Sequence, residues 1–176
     1  NPAIFAERLK DTQHEYEAHA QELAALYTKK TPRPRILFFD GPEGFRKIWQ
    51  VIFSSGIEEY LIITDPEQML GFAQAYYIRD HIIQEKLRLG IRSRHIVTAT
   101  QYAKDIAERD ARENRVTKFL PHQHKVECTK IIFGNNVAII APVADNTLVV
   151  VESVAFAKTE RALFEALWAT LPEKTK

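Results

Sequence analysis

Three short apolar runs, RILFF at 35–39, EYLIIT at 59–64 and RSRHIV at 92–97, are each followed by a stretch with helical spacing. Four more runs, RVTKFL at 115–120, ECTKIIF at 127–133, VAIIAP at 137–142 and TLVVVES at 147–153, then follow with no helical stretch between them. That order admits few folds. Short apolar runs bounded by glycine, proline or asparagine read as strands covered on both faces. Alternation with helices calls for parallel crossovers, whereas runs joined by Gly134-Asn135-Asn136 or Asp145-Asn146 are hairpin partners. The sequence therefore predicts an α/β domain with a mixed sheet and helices packed on its faces. The helices expected are 45–53, a long stretch opened by the Asp65-Pro66 cap, bent near Gly71 and ended by Gly90, then 101–114 after the Thr100 cap, and 156–171 before Pro172.

Ahead of this domain, Asn1 can cap a helix and Pro2 suits its first position, and residues 3–27 contain neither glycine nor further proline. Within it Phe5, Leu9, Thr12, Tyr16, His19, Leu23 and Leu26 recur at alternating spacings of 4 and 3. This is the seam of a coiled coil, with Thr12 and His19 as polar interruptions. The expectation is a homodimer paired through Phe5, Leu9, Tyr16, Leu23 and Leu26; the alternative is a helix lying on its own domain. TKKTPRP at 28–34, broken twice by proline, reads as a linker. The division expected is 1–31, dimerisation helix and linker, and 32–176, the α/β domain.

Composition narrows the function. A chain of 176 residues can bury one sizeable core without disulfides. Twenty-four basic residues against 23 acidic ones leave a net charge of +1, without the basic bias of a surface built for phosphate backbones. A single cysteine, Cys128, suits a reducing compartment and cannot form an internal disulfide. No run approaches a membrane span and no secretory leader is visible, so a cytoplasmic protein with no membrane partner is expected. An Asn1-Pro2 start and one methionine, Met69, give the expectation of a piece of a longer chain.

Candidate chemistry is sparse. FDGPEG at 39–44 joins a buried strand to a helix, where glycines allow a tight turn and unpaired amides can meet a ligand. Asp40, Gly41, Glu43 and Gly44 are accordingly the candidate ligand contacts, at the carboxyl edge where such sheets bind small molecules. His122, His124, Glu127 and Cys128 are the one set with metal-ligand side chains, but they lack a clear fourth ligand, and neither metal nor cofactor is predicted. Phosphodiesterases of the phospholipase-D type need a histidine and a lysine two residues apart; His124-Lys125 are adjacent and would point to opposite faces of a strand. Ser54-Ser55-Gly56 lacks a nucleophile-elbow setting. Lys86, Arg88, Arg92, Arg94 and His95, and again Arg109, Arg112, Arg115 and Lys118, are interleaved with acidic residues and read as solvated, salt-bridged faces. Tyr76, Tyr77, Phe38, Phe39, Trp49 and Trp168 fall at core spacings.

Taken together, RILFFDGPEGFRKIW, EYLIIT, GIRSRHIV, RVTKFLP, ECTKIIFGNNVAIIAP and TLVVVESVAFAKTERALFEALW resemble the C-terminal regulatory half of TrmB-type transcriptional regulators. The resemblance implies a phospholipase-D-like fold without catalysis that senses a small-molecule effector, often a sugar. It also implies a dimerising helix and an N-terminal winged helix that binds operator DNA. The winged helix has no counterpart here, so any DNA contact belongs to an upstream domain. The terminal segment that helps bind sugar in the family likewise has no counterpart beyond Trp168. Two alternatives stand beside this reading: a phospholipase-D-like phosphodiesterase or nuclease using His122 and His124, and an interaction module without a ligand.

Overall fold

The computed structural model describes residues 33–70, 77–121, 123–141 and 147–173. The expected leading helix, its seam from Phe5 to Leu26 and most of the linker lie outside the described residues. The first element is strand β1 (Arg35–Phe39), in which Leu37 and Phe39 pack inward. Ile36 and Phe38, on the other face, are 56% and 78% exposed, so Phe38 is not the core residue its spacing implied. The cause is position. β1 is an edge strand, and among the described residues no helix covers that side of it.

Helix α1 (Gly41–Ser54) begins four residues before the expected start at Phe45, because Pro42 suits the first turn and leaves no needed N–H behind. It buries Phe45, Ile48, Trp49 and Ile52, the i, i+3, i+4, i+7 stripe of an amphipathic helix. Next come β2 (Glu59–Thr64), the short helix α2 (Pro66–Leu70), and a π-helical segment Ile78–Ile83 that continues as α3 (Gln84–Arg88). Strand β3 (Arg92–Thr98), helix α4 (Gln101–Ala107), a 3-10 turn Asp110–Glu113 and strand β4 (Arg115–Leu120) complete the alternating half. The meander is β5 (Thr129–Phe133), β6 (Asn136–Ala141) and β7 (Thr147–Glu152), and the last helix is α5 (Val154–Thr170).

The expected helix 101–114 stops at Ala107. Asn114 takes a left-handed conformation, φ 47°, and the Arg115 guanidinium occupies the Ile106 carbonyl at 2.6 Å, which ends the helical ladder and turns the chain. The expected strand 127–133 likewise starts only at Thr129.

The seven strands form one sheet in the order β1-β7-β6-β5-β2-β3-β4, with β2, β3 and β4 parallel and every other neighbouring pair antiparallel. The mixed sheet read from the run order is thus present. Side chains on both faces are buried. One face packs Phe45, Trp49, Tyr60, Ile62, Ile131 and Phe133 beneath α1 and the π-helical segment. The other packs Leu61, Ile96, Ile132 and Val137 beneath Phe164 and Leu171 of the α5 region. This double coverage is why the central strands read as continuous apolar runs.

Helix α5 is fastened by cations from the sheet, Lys130 of β5 among them, which bonds Glu160 at 2.6 Å. Arg94 grips both Glu165 oxygens at 2.8 and 2.6 Å and lies 5.6 Å from the ring centres of Phe164 and Trp168. Lys118 donates to the carbonyls of Trp168 and Leu171 at 3.1 and 3.0 Å, where a helix C-terminus favours positive charge.

Candidate functional site

The strand register sets a polar platform on the face beneath α1. Tyr60 lies beside Ser93 and Ser93 beside Arg115; Ile62 lies beside His95 and His95 beside Thr117; Thr64 lies beside Val97. Alternation puts these rows on one face. Phe45 and Trp49 of α1, Met69 of α2, Ile78 and Ile82 of the π-helical segment, and Ala103 and Ile106 of α4 stand over them. Between floor and roof is a cavity of ≈ 140 Å³. Most of its wall is apolar; Thr64, Arg79 and Tyr102 are polar groups on it, and further polar groups stand at the Tyr60 end, near Lys86 and Arg115.

Around that end the charges form a connected cluster. Arg115 donates from Nε to Asp110 Oδ1 at 2.6 Å and from Nη1 to Glu113 Oε2 at 2.8 Å. Arg109 Nε reaches Glu113 Oε1 at 3.0 Å, and Thr117 Oγ1 donates to Asp110 Oδ1 at 2.9 Å. Lys86, only 2% exposed, donates to the backbone carbonyls of Glu113 and Asn114 at 2.5 and 3.1 Å. A buried charge is tolerated only with such partners.

Tyr60 is the hub of the polar end. The Trp49 ring centre lies 5.5 Å from its own, the His95 ring centre 5.9 Å, and the Lys86 Nζ 5.7 Å. Burial pushes the Tyr60 phenol up to about 12. Burial, reinforced by Arg115, brings the Lys86 ammonium down to about 8. Burial, with Arg115 and Lys86 beside it, holds His95 well below the usual imidazole range, so the ring is neutral at pH 7. Trp49 Nε1 and His95 Nε2 are buried without a hydrogen-bond partner. Orphaned buried polar atoms are uncommon and call for an explanation. Both carboxylates of the cluster are held by guanidinium groups, so the arrangement suits binding a polar group better than transferring a proton.

The residues singled out from sequence lie elsewhere. Asp40, Gly41, Glu43 and Gly44 are at the carboxyl end of β1, with β7, β6 and β5 between them and β2, and none lines the cavity. Gly41 has φ +59°, a conformation glycine adopts freely. A Cβ on Gly44 would stand 2.9 Å from the Phe39 Cβ, so close helix–strand packing accounts for it. Glu43 bonds Arg46 one turn on, and Asp40 caps α1 through its backbone with no side-chain cap. His124 is exposed in a turn whose N–H donates to the Pro121 carbonyl; His122 lies outside the described residues. Among the described residues no group of three or more His, Cys, Asp or Glu side chains is placed to hold a metal, and no helix is long and apolar enough to cross a membrane.

Lys86, Arg115 and Lys118 correct the expectation of solvated basic faces: all three are inside and His95 is half-buried with its Nε2 covered, while Arg88, Arg92, Arg109 and Arg112 are exposed. A signal was present. Ile78, Ile82 and Lys86 repeat every fourth residue on one helical stripe, and Arg115 alternates with Thr117 and Phe119 along one strand face.

No protein-family model and no curated protein matches this sequence. Its backbone does match solved structures. An archaeal chromatin protein, TrmBL2, whose structure is described as showing a novel mode of DNA binding, superposes with a TM-score of 0.54 at 16% identity, over 97% of this chain and 67% of that one. Nuc from Salmonella typhimurium, a phospholipase D family member, gives 0.56 at 13% identity, over 82% of this chain and all of that one. NucT from Helicobacter pylori gives 0.53 at 13%, over 81% and 100%. The fold is phospholipase-D-like. In this phospholipase-D-like sheet none of the chain's six histidines has a lysine two residues after it. The cavity instead uses the face roofed by α1 and α4, with histidine, lysine and tryptophan grouped about Tyr60.

Proposed function

We propose that this chain is the non-catalytic regulatory half of a TrmB-type transcription regulator, sensing a small-molecule effector. The observation that carries the reading is the pairing of a phospholipase-D-like fold with an amphipathic cavity, in a sequence that lacks a histidine–lysine pair at the spacing phosphodiester chemistry needs. The likeness to TrmBL2 along 97% of the chain supports it. On this reading 1–31 dimerise and 32–176 sense, DNA is met only through an upstream domain, and the protein works in the cytoplasm as a homodimer. The effector shifts the relative orientation of two subunits by its affinity difference between two arrangements.

The test is an unbiased thermal-shift screen of small metabolites on the whole chain. A sensor yields at least one stabilising ligand whose effect grows with the logarithm of concentration. A screen with no stabilising compound rejects sensing in favour of a ligand-free module. Asp40→Ala and Glu43→Ala separate two surfaces: loss of the shift in these variants assigns contact to the turn after β1, and an unchanged shift assigns it to the cavity.

A second reading, a phosphodiesterase or nuclease, is favoured by the full coverage of both Nuc and NucT. It is checked on a generic chromogenic phosphodiester. The regulatory reading expects no hydrolysis, and turnover that His124→Ala abolishes would replace it.

A further inference from the structure

We propose that the cavity beneath α1 and α4 is a receptor for a small organic monocarboxylate with a compact apolar body. The inference rests on the sensing reading above and supplies the chemistry of its effector.

Size comes first. A cavity of ≈ 140 Å³ is close to the roughly 150 Å³ in which a protein interior holds a benzene-sized molecule. The apolar part of the wall, Ile62, Met69, Ile78, Ile82 and Ala103, asks for a body without polar atoms, because a hydroxyl placed there would have no partner. A polyhydroxylated sugar does not suit it.

Charge comes second. Lys86 and Arg115 are buried beside Asp110 and Glu113, and Arg109 reaches Glu113 from the surface. Both carboxylates are taken by the two guanidinium groups, and Lys86 has no ion pair: its two hydrogen bonds go to backbone carbonyls. An ammonium carries three donors, so one remains. Arg109 is half exposed and screened by water, so what the buried part of the cluster offers is the Lys86 ammonium, with a donor to spare where solvent compensates it poorly. Burial above all, and Arg115 after it, lowers the basicity of both Lys86 and His95.

Orphans come third. Trp49, 6% exposed, has an indole N–H without an acceptor, and His95 Nε2 lacks a partner. With Lys86 they surround Tyr60 within 5.5 to 5.9 Å. A carboxylate seated there would accept from the Lys86 ammonium and the Trp49 N–H, and would give Lys86 the ion pair it lacks. Its apolar body would then extend along the Ile78–Ile82 wall. A phosphate dianion would overcompensate the charge and has no apolar body to fill the cavity.

The probes are benzoate, its neutral isostere benzamide, and inorganic phosphate, titrated calorimetrically into the full chain with Trp fluorescence as a second readout. Benzoate is expected to bind at least about tenfold more tightly than benzamide, the ratio for one charged hydrogen bond, and phosphate not at all. Lys86→Met should cut the benzoate-to-benzamide ratio below about threefold. Because Lys86 also caps two carbonyls, Val97→Phe, which fills the cavity from the floor, is a second variant and should abolish both titrations while circular dichroism is retained. Equal affinity for the two probes, no binding of either at millimolar concentration, tight phosphate binding, or undiminished binding by Val97→Phe would each overturn the assignment. The two proposals fail separately. Discrimination by charge with no ligand effect on subunit association keeps the carboxylate site and removes the sensor, whereas a stabilising hit of another class in the metabolite screen, with benzoate silent, keeps the sensor and removes this site.

Discussion

Gly44 shows how one residue can be read two ways. Inside an exposed helix, Gly→Ala gains about 1 kcal/mol of helix propensity. Here the new methyl would meet the Phe39 Cβ at 2.9 Å and its carbonyl carbon at 3.1 Å, neither of which can swing away as a flexible chain end could. Overpacking of this kind costs about 1–3 kcal/mol, so Gly44→Ala should be net destabilising in urea unfolding; a stabilised variant would show that α1 can shift off β1. His95 offers a residue-scale test in pH. Its folded pKa lies well below the ordinary value, so in acid the unfolded state binds the proton and the folded state does not. Stability from this group is therefore complete above about pH 6.5 and declines as pH falls below it, by about 1.4 kcal/mol per pH unit. Facing His95 are Arg115, Lys86 and Tyr60, and the last two, displaced to about 8 and about 12, keep their protonation between pH 5 and 7. His95→Gln should flatten the acid limb of the stability profile, and an unchanged limb would place the titrating group elsewhere. The sequence showed His95 as one of a basic cluster, because a histidine's solvation depends on the helix that crosses above it and local composition does not record that.

At the scale of elements, α5 depends on charges brought from the sheet. The Leu171 carbonyl, just past its last turn, is satisfied by a buried lysine from β4, and the Trp168 carbonyl accepts from the same ammonium as well as from the Leu171 N–H. Lys118→Met keeps the stem's length and removes both bonds together with the ion pair to Glu173, leaving the Leu171 carbonyl without its donor. A loss of about 2–3 kcal/mol is expected, with amide exchange accelerated first over residues 164–171; uniform exchange along α5 would instead make Arg94 the main fastening. Among the elements, strands were the more legible. Six residues of EYLIIT or RVTKFL between breakers leave little choice of conformation, whereas the helix ending at Ala107 was overestimated by seven residues, since Asp110 to Asn114 keep helical spacing while their hydrogen bonds go to Arg115 and Arg109. A side chain from a neighbouring element ended that helix, and only the tertiary structure shows it. The candidate site fared worse for the same reason: its parts come from four helical segments and three strands, and only the Ile78, Ile82, Lys86 stripe hinted at it.

For the whole molecule, the order of elements carried the fold: alternation, then meander, gave a mixed sheet, and the sheet is phospholipase-D-like. Among the described residues the most exposed large apolar side chain is Phe38 on the edge strand, where Ile36 is also open to solvent. The state of association is the remaining property at this scale, and the heptad seam of residues 5–26 makes a definite claim about it. Two aspartates at seam positions place like charges across a pair of identical helices and bury them, which costs far more than an isolated exposed substitution. Leu9→Asp combined with Leu23→Asp should therefore convert a sedimenting dimer into a monomer, with near-UV signals from Trp49 and Trp168 unchanged because both belong to the sheet domain. If instead the leading helix serves its own domain, the same double variant lowers the unfolding midpoint and leaves the sedimentation coefficient where it was. The two outcomes separate a twinned regulator from a self-contained module, and only the first gives an effector two subunits to reorient.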